Sequence, residues 1–193
     1  MADVQSTMLE LGTRAPHFLL TDTVSGKTLS LDDFKANKAL LVMFICNHCP
    51  FVKGIKQGLV QYALDYMPKG VGIAAINSND SEKYPDDGPG KMKQDAETHG
   101  YPFPYLYDET QEVARAYRAA CTPDFYLFDG NRELVYRGQF DSSRPGNSLA
   151  VTGEDLREAT DRIRAGRPVP VNQAPSIGCN IKWKKGNEPD YFG

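Results

Sequence analysis

Ala39-Leu-Leu-Val-Met-Phe-Ile45-Cys46-Asn-His-Cys49-Pro50-Phe-Val-Lys53 is the stretch that decides this chain. The unbroken apolar run from Ala39 to Ile45 is the pattern of a strand covered on both faces in a parallel sheet. Pro50 suits the first turn of a helix, where its missing N–H would have no partner anyway. Ile55, Leu59, Tyr62 and Tyr66 then share one helical stripe, and Pro68 and Gly70 end it. Val71 to Ile76 is a second buried strand, which completes a right-handed β-α-β unit. Cys46 and Cys49 fall on the junction of strand and helix.

That placement has chemical content. The first N–H groups of a helix are unpaired and partly positive, so they favour a thiolate over a thiol. Such sites lower a cysteine pKa from about 8.5 to roughly 3.5–7.5. A C-x-x-C there reads as redox chemistry: one thiolate attacks a partner disulfide and the second thiol resolves the mixed disulfide. Order along the chain assigns Cys46 as the exposed nucleophile and Cys49 as the more buried resolving thiol. His48 has two readings, an imidazolium that steadies the thiolate or a solvent-facing residue of the first turn. A zinc knuckle would need a second pair of cysteines, and Cys121 and Cys179 stand alone, so His48 or His99 would have to complete it. The expectation is a site with no metal and no cofactor.

Outward from the dithiol, Asn77 to Gly90 is a long polar connection rich in Asp, Pro and Gly. Both buried parallel strands point the same way, so it leaves the sheet edge that carries Cys46. It should border the dithiol and help select the partner. A helix from Pro89 to His99 with Gly100 as C-cap follows, then a short strand at Tyr105 to Tyr107. Asp108 caps a helix through Tyr117, and Phe125–Phe128 and Leu134–Arg137 form a hairpin across Asp129-Gly130. Thr152 and Asp155 resemble a capping box for a last helix ending at Gly166 and Pro168. On the N-terminal side, Phe18–Leu20 and Lys27–Leu31 flank Ser25-Gly26 as a hairpin, followed by a helical turn at Leu31–Phe34. Residues 1–15 read as a loosely fixed lead-in and 169–193 as a tail. The order is α/β, with a mixed central sheet, helices on both faces and an N-terminal β-hairpin extension, in one domain over 1–193.

Composition narrows the function. The 193 residues carry a net charge of -3 without a basic stripe, which argues against nucleic acid as a partner. Lys182-Trp183-Lys184-Lys185 reads as a solvated tail. No apolar run reaches the roughly 20 residues of a membrane span. Met1 to Gly12 lacks the pattern of a secretory signal, so no membrane association and a cytoplasmic location are expected. Four cysteines are too few for a disulfide framework. Cys121 reads as a small buried thiol ahead of an auxiliary redox one, Cys179 as a structural thiol of the tail ahead of a resolving partner, His17 as exposed and His99 as a last-turn residue. Tyr101, Phe103, Tyr105 and Tyr107 read as packing residues.

Several segments together resemble a known family. Gly12-Thr-Arg-Ala-Pro16-His-Phe18, with Asp22, Gly26-Lys27, Leu29, Leu31 and Phe34, resembles the opening of the AhpC/TSA and TlpA-like branch of the thioredoxin superfamily. Phe44 to Lys53 is similar to the active-site segment of its peroxiredoxin-like, thioredoxin-domain group. Thr122-Pro123-Asp124-Phe125 resembles the family's cis-proline loop, and Ile177 to Trp183 resembles that group's C-terminal tail. The resemblance implies a thioredoxin-like fold in which Thr122-Pro123 is a cis peptide facing Cys46 and Cys49. Backbone beside that proline would pair with an extended segment of the partner. It further implies a protein or small-molecule disulfide as substrate and a thiol electron donor that restores the dithiol.

Two departures matter. Thioredoxins proper carry a buried acid where this chain has Leu40, and Trp where it has Ile45, so the acceptor of the Cys49 proton is unidentified in the sequence. Peroxiredoxins carry Pro and Thr where this chain has Val42 and Cys46. Under that alignment Cys49 would attack a hydroperoxide and Cys46 would resolve its sulfenic acid, an antioxidant activity. The leading reading is a thiol-disulfide oxidoreductase; the second is a thiol peroxidase, and the third a metal-binding module.

Overall fold

Every residue from Ala39 to Phe44 is buried, which a strand achieves only with cover on both faces. In the computed structural model, which describes residues 3–192, that strand is the fourth of ten. The elements in chain order are β1 (Asp3–Gln5), β2 (Leu19–Asp22), β3 (Thr28–Ser30), β4 (Ala39–Phe44), α1 (Pro50–Tyr66), β5 (Val71–Asn77), α2 (Pro89–His99) and β6 (Tyr105–Tyr107). After them come α3 (Glu112–Ala116), β7 (Cys121–Thr122), β8 (Asp124–Phe128), β9 (Leu134–Gly138), α4 (Glu154–Arg164) and β10 (Ile177–Asn180). Seven strands form one sheet in the order β3-β2-β6-β5-β4-β8-β9. The β4–β5 and β5–β6 pairs are parallel and the other neighbours antiparallel, the mixed sheet expected.

Alternate residues of β4 serve opposite faces, as the period of two requires. Leu41 and Met43 pack with Val52 and Leu59 of α1, Met92 of α2 and Leu156 of α4. Leu40, Val42 and Phe44 pack with Ala114 of α3, Phe18 and Trp183. Helices thus lie on both faces, and each large apolar side chain buried this way contributes about 1.5–3 kcal/mol. Leu40, where an acid was missed, is an ordinary core residue. Among the described residues, no helix is long and apolar enough to cross a membrane.

Several boundaries differ from expectation. The β2–β3 hairpin is the sheet's own edge, because β2 also pairs with β6. Of the expected loose lead-in, residues 1 and 2 lie outside the described residues and 3–15 are fixed: β1 pairs with β10, and Arg14 bridges to Glu133. The tail is structured too, since β10 also pairs with β7 in a second, three-stranded sheet β1-β10-β7. Lys182 and Trp183 are buried, so Lys182 to Lys185 is not a solvated run. Strands of three or four residues show no usable alternation, and here each is held by a partner distant in the chain. Helix α3 starts only at Glu112, after Gln111 at φ 64°, yet Asp108 does cap it, accepting from the N–H of Ala114 at 2.9 Å. The Thr152–Asp155 box does not form. Asp155 bonds Gln139 at 2.5 Å, and the N–H groups of Thr152 and Gly153 instead donate to Asp141 at 2.8 and 2.6 Å.

Candidate active site: a dithiol under a buried strand

Strand β4 ends at Phe44 and α1 begins at Pro50, with Cys49 as the N-cap of the helix. The peptide Thr122–Pro123 is cis and faces both sulfurs. Thr122 Oγ1 lies 3.3 Å from Cys46 Sγ, and the Thr122 carbonyl oxygen lies 3.1 Å from Cys49 Sγ. All five residues singled out in the sequence, Cys46, His48, Cys49, Thr122 and Pro123, are brought together. Exposure does not divide the sulfurs as expected, because Cys46 is 1% exposed and Cys49 0%. Cys46 is therefore not the exposed member of the pair.

The pair titrates as a unit. A hydrogen bond from the Cys46 thiol is the largest influence on Cys49. Burial opposes it, while the Cys179 thiol and the main-chain N–H groups of Val52 and Cys179 reinforce it, and the pKa falls to about 5. Cys46 goes the other way: it holds the shared proton, is buried, and faces the Asp87 carboxylate. The charge thus rests on Cys49, at the helix N-cap where N–H groups converge. When Cys49 is protonated, its S–H donates to the Thr122 carbonyl instead.

The long loop after β5 does border the dithiol, as its topology required. It brings in Asp87, a residue the sequence reading missed. The Asp87 carboxylate accepts from the main-chain N–H of Asn47 at 2.8 Å, from Asn79 Nδ2 at 2.8 Å and from His48 Nδ1 at 2.5 Å. Burial pushes Asp87 up, but the hydrogen bonds from His48, Asn79 and Asn47 outweigh it and hold the carboxyl below its usual range. Asn47 is fixed again through its side chain, which donates to the Asp86 carbonyl at 2.7 Å and accepts from Tyr105 OH at 3.0 Å. His48 is half-buried, stacked on Tyr84 with ring centroids 5.5 Å apart, and so is not the solvent-facing residue of the second reading. The only hint of Asp87 was its place in Pro85-Asp86-Asp87-Gly88, just ahead of α2 on the loop at the sheet's carboxyl edge.

Ligand atoms of Cys46, His48 and Asp87 lie within 4.8 Å of one another, close enough to share a cation. His99, the other metal candidate, is turned to its own helix, with Nδ1 2.9 Å from the Asp95 carbonyl. Cys121 is buried, as read, and Cys179 is buried beside the site: its thiol and main-chain N–H both act on the Cys49 sulfur.

Known proteins resemble this chain to differing depths. A solved structure of an uncharacterized conserved protein from Geobacillus kaustophilus is 60% identical, with a TM-score of 0.94 over 95% of this chain and 97% of that one. A thiol:disulfide interchange protein of the thioredoxin family from Chlorobium tepidum TLS shares the fold at 18% identity, with a TM-score of 0.62 over 79% of this chain and 97% of that one. The curated thiol-disulfide oxidoreductase ResA of Geobacillus kaustophilus (strain HTA426) is 26% identical over 130 residues, 67% of this chain and 70% of ResA. Residues 11–137 match the model of the AhpC/TSA family. That match takes in the sheet, the dithiol and the cis-proline loop, and by it this thioredoxin-like chain belongs to the AhpC/TSA family.

Proposed function

We propose that the chain is a thiol-disulfide oxidoreductase in which Cys49 attacks a partner disulfide and Cys46 resolves the mixed disulfide. The observation that carries this reading is the Cys49 sulfur at the helix N-cap, hydrogen-bonded by Cys46 and facing the Thr122–Pro123 peptide. The Cys49 thiolate forms a bond to one sulfur of the partner and the other sulfur leaves as a thiolate. Cys46 then gives up its proton and attacks Cys49, which releases the second partner thiol and leaves Cys46–Cys49 oxidised. Two electrons pass to the partner, and a thiol donor must return them for the next cycle. This order of attack is the reverse of the one read from the sequence. Like ResA, the chain would act on a disulfide, here of a protein or a small molecule.

The test is reduction of a disulfide substrate by the reduced protein, measured for wild type, Cys46→Ser and Cys49→Ser. Turnover is expected to vanish in Cys49→Ser and to fall in Cys46→Ser, and full turnover in both single variants would defeat the proposal. The pH dependence is specific as well. In the reduced protein the ultraviolet absorbance of the thiolate should vanish as pH falls through about 5, and should not wait for the ordinary value near 9. Because the folded pKa is the depressed one, this group adds stability fully above pH about 9 and loses it as pH falls to about 5. A reduced-state titration with no step below about pH 7 would remove the electrostatic argument.

The same depressed thiol supports a second reading, thiol peroxidase activity. It requires peroxide to convert Cys49 to a sulfenic acid even in Cys46→Ser. If Cys49 stays a thiol under peroxide while disulfide substrates still turn over, only the first reading stands.

A further inference from the structure

The edge of the cis-proline loop is already filled by the chain itself. Strand β10 pairs antiparallel with β7, Cys179 opposite Thr122 and Asn180 opposite Cys121, and the Ile181 N–H donates to the Ala120 carbonyl at 3.0 Å. Its main chain lies directly on the cis peptide. A Cβ added to Gly178 would sit 2.0 Å from the Thr122 carbonyl oxygen and 3.2 Å from Pro123 Cδ, so only glycine fits. On its outer edge β10 is held by β1, with Asp3 opposite Cys179, and the Ser6 N–H donates to the Ser176 carbonyl at 2.9 Å. The strand therefore occupies the place that an extended partner segment would take. It also presents a cysteine there, because Cys46, Cys49 and Cys179 share one buried cluster.

We infer that β10 is an internal partner strand and that Cys179 is a third redox thiol, which exchanges with Cys49. The inference rests on the proposed cycling of the dithiol. Once a substrate has oxidised the pair to Cys46–Cys49, the Cys179 sulfur attacks Cys49 Sγ. A Cys49–Cys179 bond forms, the Cys46–Cys49 bond breaks, and Cys46 leaves as a thiolate that takes the proton given up by Cys179. No electrons are gained or lost in this step, so it needs no further oxidant. Burial, with the hydrogen bond to Cys49, pushes the Cys179 thiol up to about 12, so it must lose its proton as it attacks, and the departing Cys46 supplies the acceptor. The exchange moves the disulfide from the loop between β4 and α1 to the covering strand and returns Cys46 as a free thiol.

The experiment is disulfide mapping after equilibration in a glutathione/glutathione disulfide buffer, with acid quenching, alkylation and mass spectrometry of the linked peptides. Wild type should give two linked species, Cys46–Cys49 and Cys49–Cys179. Cys46→Ser should pass through a Cys49–glutathione adduct to a monomeric Cys49–Cys179 disulfide, with the same linkage in Cys46→Ser/Cys121→Ala. Cys179→Ser should give only Cys46–Cys49, and its circular dichroism spectrum reports whether the strand still folds. The inference is overturned if Cys46→Ser stops at the glutathione adduct with Cys179 alkylated, or links Cys49 to Cys121. Failure of wild type to form Cys46–Cys49 at all would strike the proposed function instead, so the two failures are separable.

Discussion

Cys49→Ser is expected to reduce disulfide exchange to the background of an ordinary buried thiol and to erase the ultraviolet titration step near pH 5. The reason is that most of the contacts favouring a thiolate converge on Cys49, while the Thr122 hydroxyl alone favours one on Cys46. Cys49 receives hydrogen bonds from the Cys46 thiol, the Cys179 thiol, and the N–H groups of Val52 and Cys179. Cys46 faces the Asp87 carboxylate, which disfavours its thiolate. Cys46→Ser should behave differently, because a hydroxyl at position 46 still donates to Cys49. That variant is expected to keep the low titration step, accept a mixed disulfide on Cys49, and lose the Cys46–Cys49 route of turnover. Cys46→Ala, without a donor, should raise the step. Peptide mapping after exposure to glutathione disulfide decides the order of attack. A glutathione adduct on Cys46 in Cys49→Ser, with none on Cys49 in Cys46→Ser, would restore Cys46 as the attacking sulfur.

The second large effect is expected at Asp87. Its carboxylate is fully buried and is the common acceptor for Asn47, Asn79 and His48. Asp87→Ala leaves those donors without their acceptor, and stranding a buried polar group costs about 1–3 kcal/mol each, so roughly 3–5 kcal/mol for the network. For a chain of this size that corresponds to a fall in Tm of roughly 6–20 °C. The Asn47 side chain and the loop between β4 and α1 should loosen with it, so exchange falls in the same variant. Asp87→Asn keeps the shape but not the charge. The folded pKa of Asp87 lies below its ordinary 3.8, so its contribution is complete above that pH and is lost as pH falls through the folded value. Wild type should therefore lose stability over Asp87→Asn in acid, which thermal unfolding near pH 7 and below pH about 3 would measure. An Asp87→Ala protein as stable as wild type at neutral pH would show that the network does not hold the site.

The parts of this fold that repeat a period could be read in advance. Ala39 to Ile45, the stripe Ile55–Leu59–Tyr62–Tyr66 and the hairpin after Pro123 each advertise their burial in the order of their residues, and all appear at or near the expected places. Topology then carried one step further, since parallel strands that end together forced the Asn77–Gly90 loop beside the dithiol. It could not say which acid in that loop turns inward. Asp80, Asp86 and Asp87 have the same chemistry, and only the fold distinguishes Asp87, with its carboxyl buried, from Asp80 and Asp86. The missed strands failed for a related reason. Asp3–Gln5 and Ile177–Asn180 are too short to carry a pattern, and each owes its structure to pairing with the other. Cys179 accordingly read as a structural thiol ahead of a resolving one, although the pairing of β10 with β7 places it against Cys49.

The pairing of Asp3 with Cys179 closes a loop over nearly the whole chain. Loop closure of that span has a high entropic cost and yields only a few strand bonds, so these contacts belong to the last stage of folding. A chain made from its N-terminus completes the β4–α1–β5 unit and the cis-proline loop well before residues 177–180 have emerged. Through that interval the reactive sulfurs stand uncovered, with Cys121 in the adjoining strand available for wrong linkage. The strand that makes the finished site buried therefore gives the nascent protein its most vulnerable moment. Reducing conditions during refolding should raise the yield of correctly paired molecules more than any later treatment.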